Sequence, residues 1–208
     1  MSTDTYTALT KVPEGDAPLV FAFHGTGGDE QQFFGLAQEL LPGAGVVSPR
    51  GDVSEMGAAR FFRRTGEGVY DMNDLTRATD KMAGFVEAWK AKHPGRPVFG
   101  FGYSNGANIL ASTMMARPDL FDRIALLHPL IPWSPDPAQG LAGKQVLVTA
   151  GRNDPIGPWP LTERLIKWVE AQGATVSTVV HAGGHELRAE EIDALRPFFE
   201  HTSVPLNA

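Results

Sequence analysis

The chain has 208 residues, carries 18 Lys and Arg against 24 Asp and Glu for a formal net charge of −6, and contains no cysteine. A chain of this length suits one domain that buries about 70% of the surface its unfolded form exposes, so residues 1–208 are read as a single domain. The missing cysteines exclude disulfides, thiolate nucleophiles and cysteine-ligated metal centres. The acidic balance speaks against a nucleic-acid partner, because phosphate binding needs a basic field.

The N-terminal stretch MSTDTYTALTKVPEGD is polar and has no apolar signal core. No apolar run approaches the ~20 residues that span a bilayer, so a cytoplasmic protein without membrane insertion is expected. Next comes a compact apolar run, LVFAF at 19–23, ended by His24-Gly25. Residues 31–41 space Phe33, Phe34, Leu36, Ala37, Leu40 and Leu41 like one helix face, stopped by Pro42-Gly43. Residues 45–48 predict a short strand. Residues 71–92 predict a long amphipathic helix that buries Leu75, Met82, Phe85, Val86 and Trp89. Strands are then expected at 98–101, 124–127, 145–150 and 175–180, with helices at 107–116, 161–172 and 189–200. Strands that read as continuous apolar runs are covered on both faces. The fold class is therefore α/β, with a mostly parallel central sheet and helices on each side. Right-handed crossovers put every strand C-terminus along one edge, and ligands bind at that edge. Chemistry is to be sought in the loops that begin near His24, Pro49, Gly102, His128, Gly151 and His181.

One such loop stands out. The stretch VFGFGYSNGANIL, 98–110, runs from apolar residues into Gly102-Tyr103-Ser104-Asn105-Gly106 and out again into small apolar ones. G-x-S-x-G between a strand and a helix predicts a nucleophile elbow. This is a strained turn whose crowded flanks need glycine and whose serine hydroxyl stands clear of the sheet. The competing reading is a capping serine in a Gly-rich turn. A serine nucleophile needs a base, and the base needs an orienting acid, in the chain order Ser, Asp or Glu, His. After the strand at 145–150 comes Gly151-Arg152-Asn153-Asp154-Pro155, which offers Asp154 as the acid. Asp122 precedes a strand, at the wrong edge, and Asp136 lies in a Pro-rich loop away from the histidine strand. After 175–180 comes His181-Ala182-Gly183-Gly184-His185-Glu186. His185 is preferred to His181 because two glycines let its backbone carry an imidazole toward the serine. Oxyanion donors are expected from the backbone N–H of Asn105 and of Thr26, the latter in the Gly-rich loop His24-Gly25-Thr26-Gly27-Gly28. His24 precedes the nucleophile and is read as structural. No metal and no organic cofactor are expected. His185-Glu186 lacks the second histidine of H-E-x-x-H, Asn105 stands where a dinucleotide fingerprint wants glycine, and no phosphate-binding loop occurs.

With FAFHGTGGDEQQF, SPRGDV, RFFRR, GFGYSNGAN, GRNDPIGP and HAGGHEL in this order, the chain resembles the bacterial carboxylesterases of the phospholipase/carboxylesterase family. Acyl-protein thioesterases and hydroquinone-resistance esterases are relatives within that resemblance. It implies an α/β-hydrolase fold without a large lid domain and a Ser104–Asp154–His185 triad. The cysteine nucleophile of dienelactone hydrolases proper has no counterpart here. In that family the segment after the second sheet strand overhangs the pocket. Here Phe61 and Phe62 are candidates for walling an acyl site, and Arg63 or Arg64 for meeting a substrate carboxylate or pairing with Glu67 or Asp71. The alternative is a solvated loop anchored by two core phenylalanines. Ile131, Trp133 and Trp159 are candidate apolar pocket walls, with core packing as their alternative. The expected activity is hydrolysis of small or short-chain carboxylic esters through an acyl-enzyme, with a small-molecule ester as partner. A thioesterase or lysophospholipase with the same triad is the nearest alternative. A non-catalytic binding module is disfavoured because all three residues are present. The oligomeric state is open, a homodimer being common on base rates.

Overall fold

Hydrophobic alternation along each strand decides the layering. In LVFAF, Leu19, Phe21 and Phe23 pack into one core cluster and Val20 and Ala22 into the other, so neither face of the strand meets water. The computed structural model describes residues 2–200. Its main sheet is built from β1 (Ala8–Lys11), β2 (Leu19–Phe23), β3 (Gly45–Pro49), β8 (Val98–Tyr103), β9 (Arg123–Leu127), β10 (Gln145–Gly151) and β11 (Thr175–His181). Their spatial order is β1-β3-β2-β8-β9-β10-β11. Only β1 runs antiparallel, paired with β3; the other neighbours are parallel.

The helices are α1 (Phe34–Leu40), α2 (Met72–Lys92), α3 (Asn105–Ala116), α4 (Trp159–Ala171) and α5 (Ala189–Glu200). Helices α2, α3 and α4 cover one face through Leu75, Met82, Phe85, Ile109, Met114, Leu165 and Val169. Helices α1 and α5 cover the other through Ala37, Leu40, Leu195 and Phe199. This is the α/β-hydrolase arrangement, with no large lid among the described residues. Each sequence-based strand and helix is found, most of them longer or shorter by one to three residues at an end.

Two features depart from the sequence reading. β1 was not expected. The segment 51–70 is not one irregular loop but two antiparallel hairpins, β4 (Val53–Glu55) with β5 (Ala58–Arg60), and β6 (Arg64–Gly66) with β7 (Val69–Tyr70). Both hairpins lie at the C-terminal edge of the sheet, where Gly27 N–H donates to Ala59 O at 3.0 Å. No helix among the described residues is long and apolar enough to cross a membrane.

Candidate active site

The elbow follows from crowding. A Cβ on Gly102 would lie 2.6 Å from the Gly106 carbonyl group, and one on Gly106 would lie 2.4 Å from Phe23 O and 2.5 Å from His24 O. Only glycine lets β8, β2 and α3 approach this closely. Between them Ser104 is forced to φ 53°, ψ −116°, a conformation that costs an L-residue energy. Its N–H donates to Leu127 O at 2.9 Å, which ties the turn to β9. Its side chain makes no capping hydrogen bond to α3.

The hydroxyl is engaged elsewhere. His185 Nε2 lies 2.8 Å from Ser104 Oγ, and His185 Nδ1 lies 2.6 Å from Asp154 Oδ2. Three loops separated by 31 and 81 positions therefore meet in one hydrogen-bonded chain. Asp154 Oδ1 accepts from the N–H groups of Ile156 at 2.8 Å and Gly157 at 2.9 Å. Burial alone drives its pKa up. The bonds from Gly157, His128 and His185 outweigh that and hold the carboxyl below its usual range. The acid loop and the histidine loop are stitched together. Arg152 N–H donates to His181 O at 2.8 Å, Asn153 N–H to Gly183 O at 2.9 Å, and Asn153 Nδ2 to Ala182 O at 2.7 Å. Tyr103 Oη donates to His185 O at 2.6 Å and fixes the imidazole's backbone from below.

The competitors lie elsewhere. Asp122 Oδ2 accepts from Val98 N–H at 2.8 Å, at the start of β8, and Asp136 is exposed. His24 is structural: Nδ1 donates to Gly25 O at 2.7 Å, and Nε2 accepts from Gly51 N–H at 2.8 Å.

The pocket above Ser104 has a volume of about 270 Å³. Thr26, Asn105, Arg60, Arg64, Tyr70 and Ile156 are among its lining residues. Thr26 and Asn105 thus flank the serine. Asn105 Oδ1 accepts from Phe61 N–H at 2.8 Å, and Thr26 Oγ1 accepts from Arg60 Nη1 at 2.8 Å. The other expected wall residues sit apart from it. Phe61 and Phe62 are fully buried. Phe61 packs on Phe23, His24 and Tyr6, and Phe62 on Tyr70. Arg63 is exposed and contributes its backbone N–H to Asp74 Oδ2 at 2.7 Å. Of the RFFRR run, Arg60 and Arg64 reach the pocket, both paired with Glu55. Ile131 and Trp133 line a separate groove with Leu165 and Trp168. The Arg152 guanidinium lies 4.3 Å from the Trp159 ring centroid.

Below Asp154 lie His128 and Glu191, to which the sequence reading gave no role, together with His181, which it passed over as the base. His128 Nδ1 is 3.0 Å from Asp154 Oδ2, and its Nε2 is 2.9 Å from Glu191 Oε1. His181 Nε2 is 3.2 Å from Glu191 Oε2. Both Nε2 contacts are close but bent, their N–H directions off the line to the oxygen. Thr149 Oγ1 and Arg188 N–H also donate to Glu191. His128, His181 and Glu191 have metal-like spacing, their nearest ligand atoms within 4.8 Å. The protons argue otherwise. His181 Nδ1 accepts from Gly183 N–H at 3.0 Å, so the His181 proton sits on Nε2, where a metal would bind. The one sequence cue was that His128 directly follows a buried strand at the active edge.

Comparison with known proteins agrees with the fold. A family model described as Hydrolase_4, serine aminopeptidase S33, matches residues 17–147. The Bacillus subtilis (strain 168) protein MhqD is 34% identical over 189 residues, covering 89% of this chain and 94% of its own. The solved structure of Atu2452 from Agrobacterium tumefaciens, a protein of unknown function, superposes with TM-score 0.92 at 54% identity, over 96% of this chain and 98% of that one. A carboxylesterase from Bacillus cereus superposes with TM-score 0.88 at 32% identity, over 93% of each chain. With the sheet order, the strained serine and these likenesses in agreement, the chain belongs to the serine aminopeptidase S33 (Hydrolase_4) family of α/β hydrolases, with carboxylesterases among its structural neighbours.

Proposed function

We propose that the protein is a serine carboxylesterase that hydrolyses small or short-chain carboxylic esters through an acyl-enzyme on Ser104. The observation that carries this reading is the single imidazole of His185, within hydrogen-bond reach of both a strained serine hydroxyl and a buried carboxylate. In the reaction Ser104 Oγ attacks the ester carbonyl while His185 Nε2 takes its proton. The oxyanion that forms is met by the backbone N–H groups of Thr26 and Asn105. Asp154 fixes the imidazole tautomer and stabilises the imidazolium. His185 then returns the proton to the leaving alcohol. A water activated by the same imidazole releases the acid and restores the serine. A pocket of about 270 Å³, with guanidiniums and a buried tyrosine in its lining, favours small acyl groups over long chains.

Fluorophosphonate labelling with peptide mapping, run beside a p-nitrophenyl ester series, tests this. The label is expected on Ser104 and turnover is expected to peak at short acyl groups. Ser104→Ala should lose the label and most turnover, retaining roughly 10³–10⁴-fold over water. Near-normal turnover in Ser104→Ala would overturn the mechanism, and a preference for laurate esters the substrate class. Matched oxoester and thioester kinetics distinguish carboxylesterase from thioesterase action.

A further inference from the structure

We propose that His128 is a positioning residue working as a fixed cation, an imidazolium clamped between Asp154 and Glu191 that steadies the acid beneath His185 and restrains that base's affinity for protons. This rests on the assignment of His185 and Asp154 as base and acid.

Asp154 accepts from Ile156 N–H and Gly157 N–H on one oxygen and faces the Nδ1 atoms of both His185 and His128 on the other. With Ile156 N–H, Gly157 N–H and His185 Nδ1–H donating, that carboxylate is ionised, so His128 Nδ1 at 3.0 Å faces it with a proton. On its far side, His128 Nε2 sits 2.9 Å from Glu191 Oε1, with both side chains fully buried. Without a proton there, an electron-rich nitrogen would sit 2.9 Å from a carboxylate oxygen, off line but unscreened, in a site that water cannot reach. That proton belongs to either the imidazole or the glutamate. Glu191 already accepts from the Thr149 hydroxyl and Arg188 N–H, and His181 presents its protonated Nε2 at 3.2 Å. Two hydrogen bonds and the nearby, bent His181 N–H favour the ionised carboxylate and leave the proton on His128. Burial opposes the imidazolium, but its N–H contacts to the Glu191 and Asp154 carboxylates together raise the His128 pKa.

The groups facing His128 are Asp154 from the loop after β10, Glu191 from α5, His181 from β11, His185 from its loop, and Tyr103 from β8. With His181 and Tyr103 neutral, two negative charges and one positive leave a single net negative charge beneath His185. Remove the His128 charge and there are two, which bind the His185 proton harder and leave less free base near neutral pH. The backbone is bent to place this side chain. His128 has φ 51°, and among the described residues the other non-glycine residues with positive φ are Met56 and Ser104. Strain at a buried titratable residue next to the reacting chain marks a position held for its side chain.

Side-chain nitrogen NMR on histidine-labelled enzyme, without substrate, tests this directly. Wild type at about pH 8 should show His128 with both ring nitrogens protonated; a neutral His128 overturns the proposal. In His128→Asn, which keeps a donor but drops the charge, the His185 titration midpoint should rise by about one to two pH units, given a ring separation of 5.2 Å. An unchanged or lowered midpoint in a folded variant overturns it too, and if the variant does not fold the wild-type spectrum alone decides. Neither readout uses an ester. Loss of the esterase reading with an intact doubly protonated His128 is therefore distinguishable from the reverse.

Discussion

At the scale of single residues, Asp154 and the glycines carry distinct and measurable burdens. Asp154→Asn keeps the shape but allows the wrong imidazole tautomer, so turnover should fall by roughly 10⁴ with the fold retained, as steady-state kinetics and circular dichroism would show. Gly151→Ala is different. Its Cβ would lie 2.0 Å from Gly184 O, and backbone cannot step aside cheaply. Calorimetry should show a lowered melting temperature together with lost turnover; a variant as stable as wild type would contradict the packing described here. Ser104 and Asp154 were proposed from the sequence because each follows a buried strand, and His185 because it follows the next strand across two glycines. Glu191 was not. In the sequence it looks like any first-turn acid of an amphipathic helix, and only the fold turns it inward to zero exposure. Phe61 and Phe62 stayed open between two readings for a related reason. A pair of aromatics in a polar loop reads equally as pocket wall or anchor, and the rings that pack on Phe61 come from far along the chain, Phe23 on β2 and Tyr6 ahead of β1.

Among the elements, the long helix offers the clearest test of local reasoning. Asp71 caps α2, its Oδ1 accepting Asp74 N–H at 3.1 Å. Asp71→Ala should cost about 1 kcal/mol, read as a lower urea midpoint with activity little changed. Elements buried on two faces were readable because burial imposes an unbroken apolar run on a strand or a periodic stripe on a helix. β1 escaped because ALTK has no fully buried position and owes its extended form to pairing with β3. β4 to β7 escaped because strands of two or three residues hold no period to detect, and their pairing is set by turns at Met56-Gly57 and Glu67-Gly68. Both hairpins shape the pocket, so the least legible elements sit where specificity is decided.

For the whole molecule, buried charge sets how stability depends on pH. Asp154, Glu191 and Asp74 are buried carboxylates whose hydrogen bonds hold them below their usual values despite desolvation. Each stabilises the fold above its usual pKa near 4, and that contribution is lost as pH falls through the lowered folded value. His24, lowered by burial, has the same sign, its contribution present above about 6.5 and lost on acidification. His128, raised, works the other way, its contribution complete below 6.5 and lost as pH climbs through the folded value. Urea unfolding should therefore show a midpoint that drops steeply between about pH 5 and pH 3. A midpoint higher at pH 3.5 than at pH 7 would contradict the assignment. The stitching of the β10 and β11 loops has a mechanical consequence. Gly151 packs against the Gly183 and Gly184 carbonyls so closely that acid and imidazole form one rigid jaw, while the serine rides on β8 as the other. Warming, pressure or a bulky ligand should then open the gap between hydroxyl and imidazole long before it separates imidazole from carboxylate.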